Sequence, residues 1–225
     1  MTAPRQVQAA LAPKEVREIM TLDLDDGLGT EVRLLADMLE SVETFPKPVA
    51  ERLLEAFGSL SGVLRAGLVE RWGLVSKQGN VLLASIQEAM DTAALQTVKR
   101  SAVTLSNSTA ATDYFRTIFA GRRTEAMVVL YLDNKNRVLD STITPGTIDS
   151  ARVYPREIMR RMVLLDATAV LMAHNHPSGD PTASVQDIAI TKAVKKALAV
   201  IGCHLHDHMV FGDGAPYSLK AHHKL

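Results

Sequence analysis

One fourteen-residue stretch constrains this chain more than any other: HNHPSGDPTASVQD, running from His174 to Asp187. Before it, Thr168 to Ala173 (TAVLMA) reads as a buried strand. After it, Ile190, Ala193, Val194, Ala197, Leu198 and Ile201 form an apolar stripe at helical spacing, stopped by Gly202. The pattern is therefore a strand, a Pro/Gly-rich loop and a helix beginning at Ser184. Residues two apart on a strand leave the same face, so the imidazoles of His174 and His176 emerge together. Asp187, in the first helical turn, can face back toward the strand end. Two neutral imidazoles and a carboxylate with an open fourth position are the ligand set of a catalytic zinc. Such an ion lowers the pKa of bound water to about 7 and polarises a carbonyl.

Two of these residues also have plainer readings. Ser184-Val185-Gln186-Asp187 matches a helix capping box, which needs no metal, and Ser184 can serve both purposes. Hydrolysis on such a metal needs a base, and Glu125 opens the first strand of the same region. If that strand neighbours Thr168–Ala173, its carboxylate lies near the metal; otherwise it is a solvated strand-end charge.

The rest of the chain divides near residue 100. Residues 1–100 read as helical, with apolar periodicity over Glu31–Leu39, Val49–Phe57 and Val81–Met90. Turn signals separate these segments at Phe45-Pro46-Lys47-Pro48, Gly58-Ser59 and Gly79-Asn80. Ser101–Thr112 reads as a linker or loop leading into a helix near Asp113–Phe119. Strands are expected at Ala126–Leu132 and Val138–Ile143, joined by the turn Asp133–Asn136, then a helix over Glu157–Leu165. A strand at Cys203–Phe211, a Gly212-Asp213-Gly214 turn and a short final strand close the chain. Residues 101–225 thus form an α/β (α+β) domain of ordinary size behind an all-helical module.

Composition removes several function classes. One cysteine, Cys203, rules out a disulfide framework and a cysteine-rich zinc finger, and reads as a small buried residue. It also excludes a zinc deaminase, which needs a Pro-Cys-x-x-Cys. The best apolar run, Met162–Ala173, is interrupted by Asp166 and is too short for a membrane span. Met1–Met20 carries five charged residues and no apolar core, so the expectation is a cytoplasmic protein. Zero net charge hides a split: residues 1–100 hold 11 basic and 14 acidic side chains, the remainder 14 and 11. An acidic helical module is not what a DNA-gripping element usually shows.

The residues together resemble a known family. His-x-His-Pro, six residues, then Ser-x-x-Asp, with an upstream glutamate, is the pattern of the JAMM (MPN) metallopeptidase superfamily. The wording AHNHPSGDP, with Gly146-Thr147-Ile148-Asp149, Pro155-Arg156-Glu157 and Asp207-His208, is similar to the bacterial RadC family from about Ala110 to Ser218. The resemblance implies a JAMM/MPN-like curved sheet flanked by helices and one zinc per chain held by His174, His176 and Asp187. It implies Glu125 as general acid/base and Ser184 as donor to the oxyanion, an interaction typically worth roughly 3 kcal/mol. It implies hydrolysis of peptide or isopeptide bonds, hence a protein or peptide partner, with DNA repair as the family's historical label. RadC proteins usually carry a DNA-binding helix-hairpin-helix, whose lead-in Phe57-Gly58-Ser59-Leu60 resembles. At the hairpin, Gly73-Leu74-Val75 replaces the second glycine by valine, which resists positive φ.

Two rival functions come with this: a DNA-binding accessory protein with a structural metal site, and a metal-dependent nuclease. A two-His, one-Asp site suits one zinc better than the two-metal clamp of nucleases. All seven histidines lie at or after residue 174. Strict alternation would put His204, His206 and His208 on one face, with Asp207 and Cys203 on the other, leaving His208 to shape the site. His222 and His223 read as a solvated tail, and Arg152, Arg156, Arg160 and Arg161 as a basic helical face.

Overall fold

A computed structural model describes residues 27–100, 109–146 and 154–225. Thr147–Asp149 of the family motif, Arg152, Met1–Met20 and the first part of the expected linker, 101–108, lie outside the described residues. The chain is α+β, with helices α1 (Gly27–Leu39), α2 (Pro46–Phe57), α3 (Leu60–Arg65), α4 (Lys77–Arg100) and α5 (Thr109–Phe119) preceding the first strand. Then come β1 (Ala126–Leu132), β2 (Val138–Pro145), α6 (Pro155–Leu165), β3 (Ala169–Asn175), α7 (Val185–Val200), β4 (His204–Phe211) and β5 (Tyr217–Ser218). No helix among the described residues is long and apolar enough to cross a membrane.

The sheet runs β2-β1-β3-β4-β5 and is mixed: β3 and β4 are parallel, the other pairs antiparallel. The parallel pair is bridged by α7, as such a crossover requires. Helices cover both faces, which explains why β1 and β3 are buried at every residue and read as continuous apolar runs. On one face, Val128, Leu130, Leu171, Ala173, Met209 and Phe211 pack against Phe115 and Ile118 of α5 and Val98 of α4. On the other, Val129, Tyr131, Val170, Met172 and Leu205 pack against Met162 of α6 and Val194 and Leu198 of α7. A third cluster, including Leu35, Leu53, Val63 and Leu83, is the core of the helical part. Helix α4 contributes to two cores: Leu83 and Ile86 to the helical one, Leu95 and Val98 to the sheet.

Three local expectations differ from the structure. Gly79-Asn80 is not a separator but part of the first turn of α4, which is far longer than the periodic segment Val81–Met90. Asn80 is buried there because its side-chain oxygen accepts from Arg71 Nε at 2.8 Å and its amide donates to the Leu68 carbonyl. Arg71, 1 % exposed, also donates to the Val63 and Leu64 carbonyls, capping the last turn of α3. Next, Thr109–Thr112 belongs to α5 rather than to the linker.

The third difference lies in β4. Val170 pairs with Leu205, but Leu171 pairs with Asp207, so His206 is an extra residue, a β-bulge. The bulge inverts the alternation. Leu205 and His208 consequently face α7, Met209 and Phe211 face α5, and the three histidines do not share a face. His204 is exposed, His206 pairs with Asn136 Oδ1 at 2.6 Å, and His208 is fully buried.

Candidate metal centre

The site forms where β3 ends and α7 begins. His174 is the penultimate residue of β3, opposite Met127 of β1, and its side chain is wholly buried on the α7 face. The chain then turns through Pro177–Pro181. Gly179, at φ 87°, hydrogen-bonds back to the His176 carbonyl, and its own carbonyl accepts from Asp213 N at 2.7 Å. This approach is so close that a Cβ on Gly212 would meet Gly179 O at 2.2 Å, and one on Gly179 would meet the Asp213 carboxylate. With His176 N bonded to Phe211 O, the loop is fastened to the end of β4.

Ser184 is the N-cap of α7 and the capping box is complete: Ser184 Oγ accepts from Asp187 N, and Asp187 Oδ2 accepts from Ser184 N at 2.7 Å. The capping and metal readings of this motif are thus compatible, because the carboxylate divides its oxygens. Oδ2 caps the helix, while Oδ1 lies 3.1 Å from His174 Nε2; His176 Nε2 is 3.5 Å from Oδ2. The two Nε2 atoms are 3.0 Å apart, and His174, His176 and Asp187 together offer donor atoms within 4.8 Å of one another.

Electrostatics reflect this crowding. Burial opposes ionisation of Asp187, but its contacts with His174, His176 and Ser184 overcome that and hold the carboxyl far below the usual carboxylate range. His176 is raised above its ordinary value, first by Asp187, then by the Asp180 carbonyl and the charges of Asp187 and Glu125, against its own burial. His208 is pushed down to about 3, mainly by burial and then by the neighbouring His174.

Glu125 immediately precedes β1, half-buried, with its carbonyl accepting from Gly146 N. Glu125 lies near enough for its charge to help raise His176, though outside the three-residue donor group. Its backbone is fixed by Asn175, whose side chain accepts from Ala126 N and donates to Thr124 O.

Two residues stand behind His174: His208, which the sequence offered as shaping the site, and Thr191, which it did not single out. His208 Nε2 lies 2.8 Å from His174 Nδ1, and Thr191 Oγ1 lies 2.6 Å from His208 Nδ1; both residues are fully buried. Thr191 is one helical turn beyond Asp187, a spacing that could have drawn attention to it. Asp207 serves the neighbouring backbone instead, accepting from His208 N, Lys220 N and Ser218 Oγ. His222 is not simply solvated: it stacks on Tyr217, ring centroids 3.9 Å apart, and pairs with the Ser218 carbonyl. On the basic face of α6, the exposed Arg156 and Arg160 share Glu157, and Arg161 meets Asp140, which Lys99 also approaches. Cys203 is half-buried against the α6/α7 core.

Comparison with known proteins agrees with this architecture. Residues 105–225 match the family model described as RadC-like JAB domain. The chain is 42 % identical over 180 residues to a UPF0758 protein of Rhodobacter capsulatus, spanning 78 % of this chain and 83 % of that one. It is 38 % identical over 180 residues to a UPF0758 protein of Ruegeria pomeroyi, spanning 78 % and 79 % respectively. With the matched region carrying the sheet, the crossover helix and the His-His-Asp group, the chain belongs to the RadC-like JAB domain family.

Proposed function

We propose that the chain is a zinc-dependent hydrolase of peptide or isopeptide bonds, binding one zinc at His174, His176 and Asp187. The observation that carries this is the donor set itself. His176 Nδ1 lies 2.7 Å from the Asp180 carbonyl, which can only accept, so the proton of the neutral ring sits on Nδ1 and Nε2 offers a lone pair. The two Nε2 atoms stand 3.0 Å apart, with Asp187 Oδ1 3.1 Å from that of His174 and Oδ2 3.5 Å from that of His176, so two imidazoles and a carboxylate converge as the donor set zinc takes. Ligands about 2.0–2.1 Å from a tetrahedral zinc stand roughly 3.3 Å apart, close to the His174–His176 and His174–Asp187 Oδ1 separations.

Zinc there would supply Lewis acidity, bringing the pKa of a coordinated water to about 7 and polarising a carbonyl. The chain's own residues do the rest. Glu125 accepts a proton from the attacking water and returns it to the leaving amine nitrogen, so amide and water become acid and amine. Ser184 Oγ uses a lone pair on Asp187 N, which leaves its O–H free to donate to the oxyanion. The substrate is a protein or peptide.

The test is a cleavage profile of a proteome-derived peptide library by zinc-loaded wild type and Glu125→Gln, with metal content measured on both. We expect about one zinc per chain in each and cleavage by wild type alone. Equal cleavage by the two proteins, or a wild type that takes up no zinc, would refute the proposal.

A further inference from the structure

Beyond the three candidate ligands, the structure contains a chain of hydrogen bonds whose direction can be worked out from proton inventory. Thr191 Oγ1 stands 2.5 Å from the backbone carbonyl of Asp187. A carbonyl cannot donate, so the single hydroxyl proton of Thr191 points to it. Thr191 then has only lone pairs to offer His208 Nδ1, 2.6 Å away, and that nitrogen must carry a proton. His208 is fully buried and has no acidic side-chain partner among the described residues, so it is a neutral ring with one proton, and its Nε2 accepts. Among the described residues, the donor facing it is His174 Nδ1, at 2.8 Å. The proton of His174 is therefore held on Nδ1, and its Nε2 turns toward Asp187 Oδ1 and His176 Nε2. The chain starts and stops at the same residue: Asp187 supplies the backbone acceptor at one end, and its carboxylate faces the His174 Nε2 lone pair at the other.

We propose that Thr191 and His208 are positioning residues that set the tautomer and ring plane of His174, so that the site presents its Nε2 lone pair before any cation arrives. The reversed chain, with Thr191 donating to His208, leaves two oxygens 2.5 Å apart with no proton between them. This inference rests on the metal-site reading for its consequence, though not for its geometry. Outer partners of this kind typically alter metal affinity by about 10- to 100-fold when removed.

The test has one arm that needs no metal. Long-range proton–nitrogen correlation spectra of histidine-labelled wild type, metal-free and zinc-loaded, report which ring nitrogens carry protons. His174 Nδ1 should be protonated in both states; an unprotonated Nδ1 in either would overturn the proposal even if zinc binds. The second arm measures zinc affinity by competition with a chromophoric chelator in Thr191→Val, Thr191→Ser, His208→Leu and His208→Gln. Serine keeps the hydroxyl, and a glutamine amide can accept from His174 and donate to Thr191. We expect Thr191→Ser within about threefold of wild type, Thr191→Val and His208→Leu weaker by about 10- to 100-fold, and His208→Gln between them. Folded valine and leucine variants with wild-type affinity would overturn it. Should His208→Leu fail to fold, the Thr191 pair decides. A wild type that binds no zinc refutes the metal reading, and the metal-free spectrum still scores the hydrogen-bond chain.

Discussion

Asp187 caps α7 with one carboxylate oxygen and, on the proposed function, would hold zinc with the other; substitution can separate the two. Asparagine keeps an oxygen that can accept from Ser184 N, now 2.7 Å from Oδ2, and turns an amide toward the imidazoles in place of Oδ1. It keeps the cap and loses the ligand. Alanine loses both, and a lost N-terminal cap costs about 1 kcal/mol. For a chain of 225 residues that is roughly 2–4 °C in Tm, since domains of this size shift by about that much per kcal/mol. Zinc at 100 times its Kd stabilises the folded state by about 2.7 kcal/mol, hence by roughly 5–11 °C.

Calorimetric melts of wild type, Asp187→Asn, Asp187→Ala and Ser184→Ala, each with chelator and with zinc, therefore predict a pattern rather than a single number. Wild type should gain the full zinc increment. Ser184→Ala should keep that increment but start about 1 kcal/mol lower, because Asp187 N loses its acceptor. Asp187→Asn should gain nothing from zinc yet melt, metal-free, no lower than wild type, because its amide hydrogens meet the two Nε2 lone pairs. Asp187→Ala should gain nothing and melt 2–4 °C below the asparagine variant. A full zinc increment in Asp187→Asn would remove Asp187 from the ligand set. Coincident metal-free melts of the asparagine and alanine variants would show that the Oδ2 cap carries no energy.

Two further outcomes follow from buried groups. In metal-free protein, His208 is depressed to about 3 while the unfolded ring titrates near 6.5, so between those values the unfolded chain binds more protons. Stability should then fall as pH drops from about 6.5 toward 3, by up to about 1.4 kcal/mol per pH unit from this group; His176, raised, contributes with the opposite sign, its share fading as pH rises. Urea unfolding between pH 4 and 7 should show a shallower acid slope in His208→Gln, and an unchanged slope would contradict the assignment. Separately, Arg71→Leu leaves Asn80 Oδ1 and the Val63 and Leu64 carbonyls without their donor, a loss of about 3 kcal/mol or more at a buried site. A thermal melt within 1 °C of wild type would show that those carbonyls find another partner.

How much of this could be seen in the sequence depended on how local each feature is. The clustering of His174, His176 and Asp187 was legible because one strand–loop–helix unit contains all three, and strand and helix periodicity fix their faces without knowledge of any neighbour. The strands β1 and β3 were legible for a related reason: burial on both faces leaves an unbroken apolar run whichever way they pair. Arg71 was not, since an arginine that closes a helix terminus looks in sequence like any surface cation until the carbonyls it meets are placed. The outer hydrogen-bond chain was least legible, because it depends on a count. Strand side chains alternate with a period of two, so a single inserted residue sends everything after it to the opposite face. His206 is that residue. Were His206 instead paired in the ladder as an ordinary strand residue, alternation from Leu205, which faces α7, would turn His208 toward α5 and place Asp207 where the His208 imidazole now meets His174. A carboxylate there would accept from His174 Nδ1 equally well, as such partners of ligating histidines often do. It would also be a second buried negative charge close to Asp187, and nothing in the bulge-free strand offsets it. The bulge thus selects a neutral acceptor over a charged one at the position behind the buried His174, a choice that composition and motif spacing do not reveal.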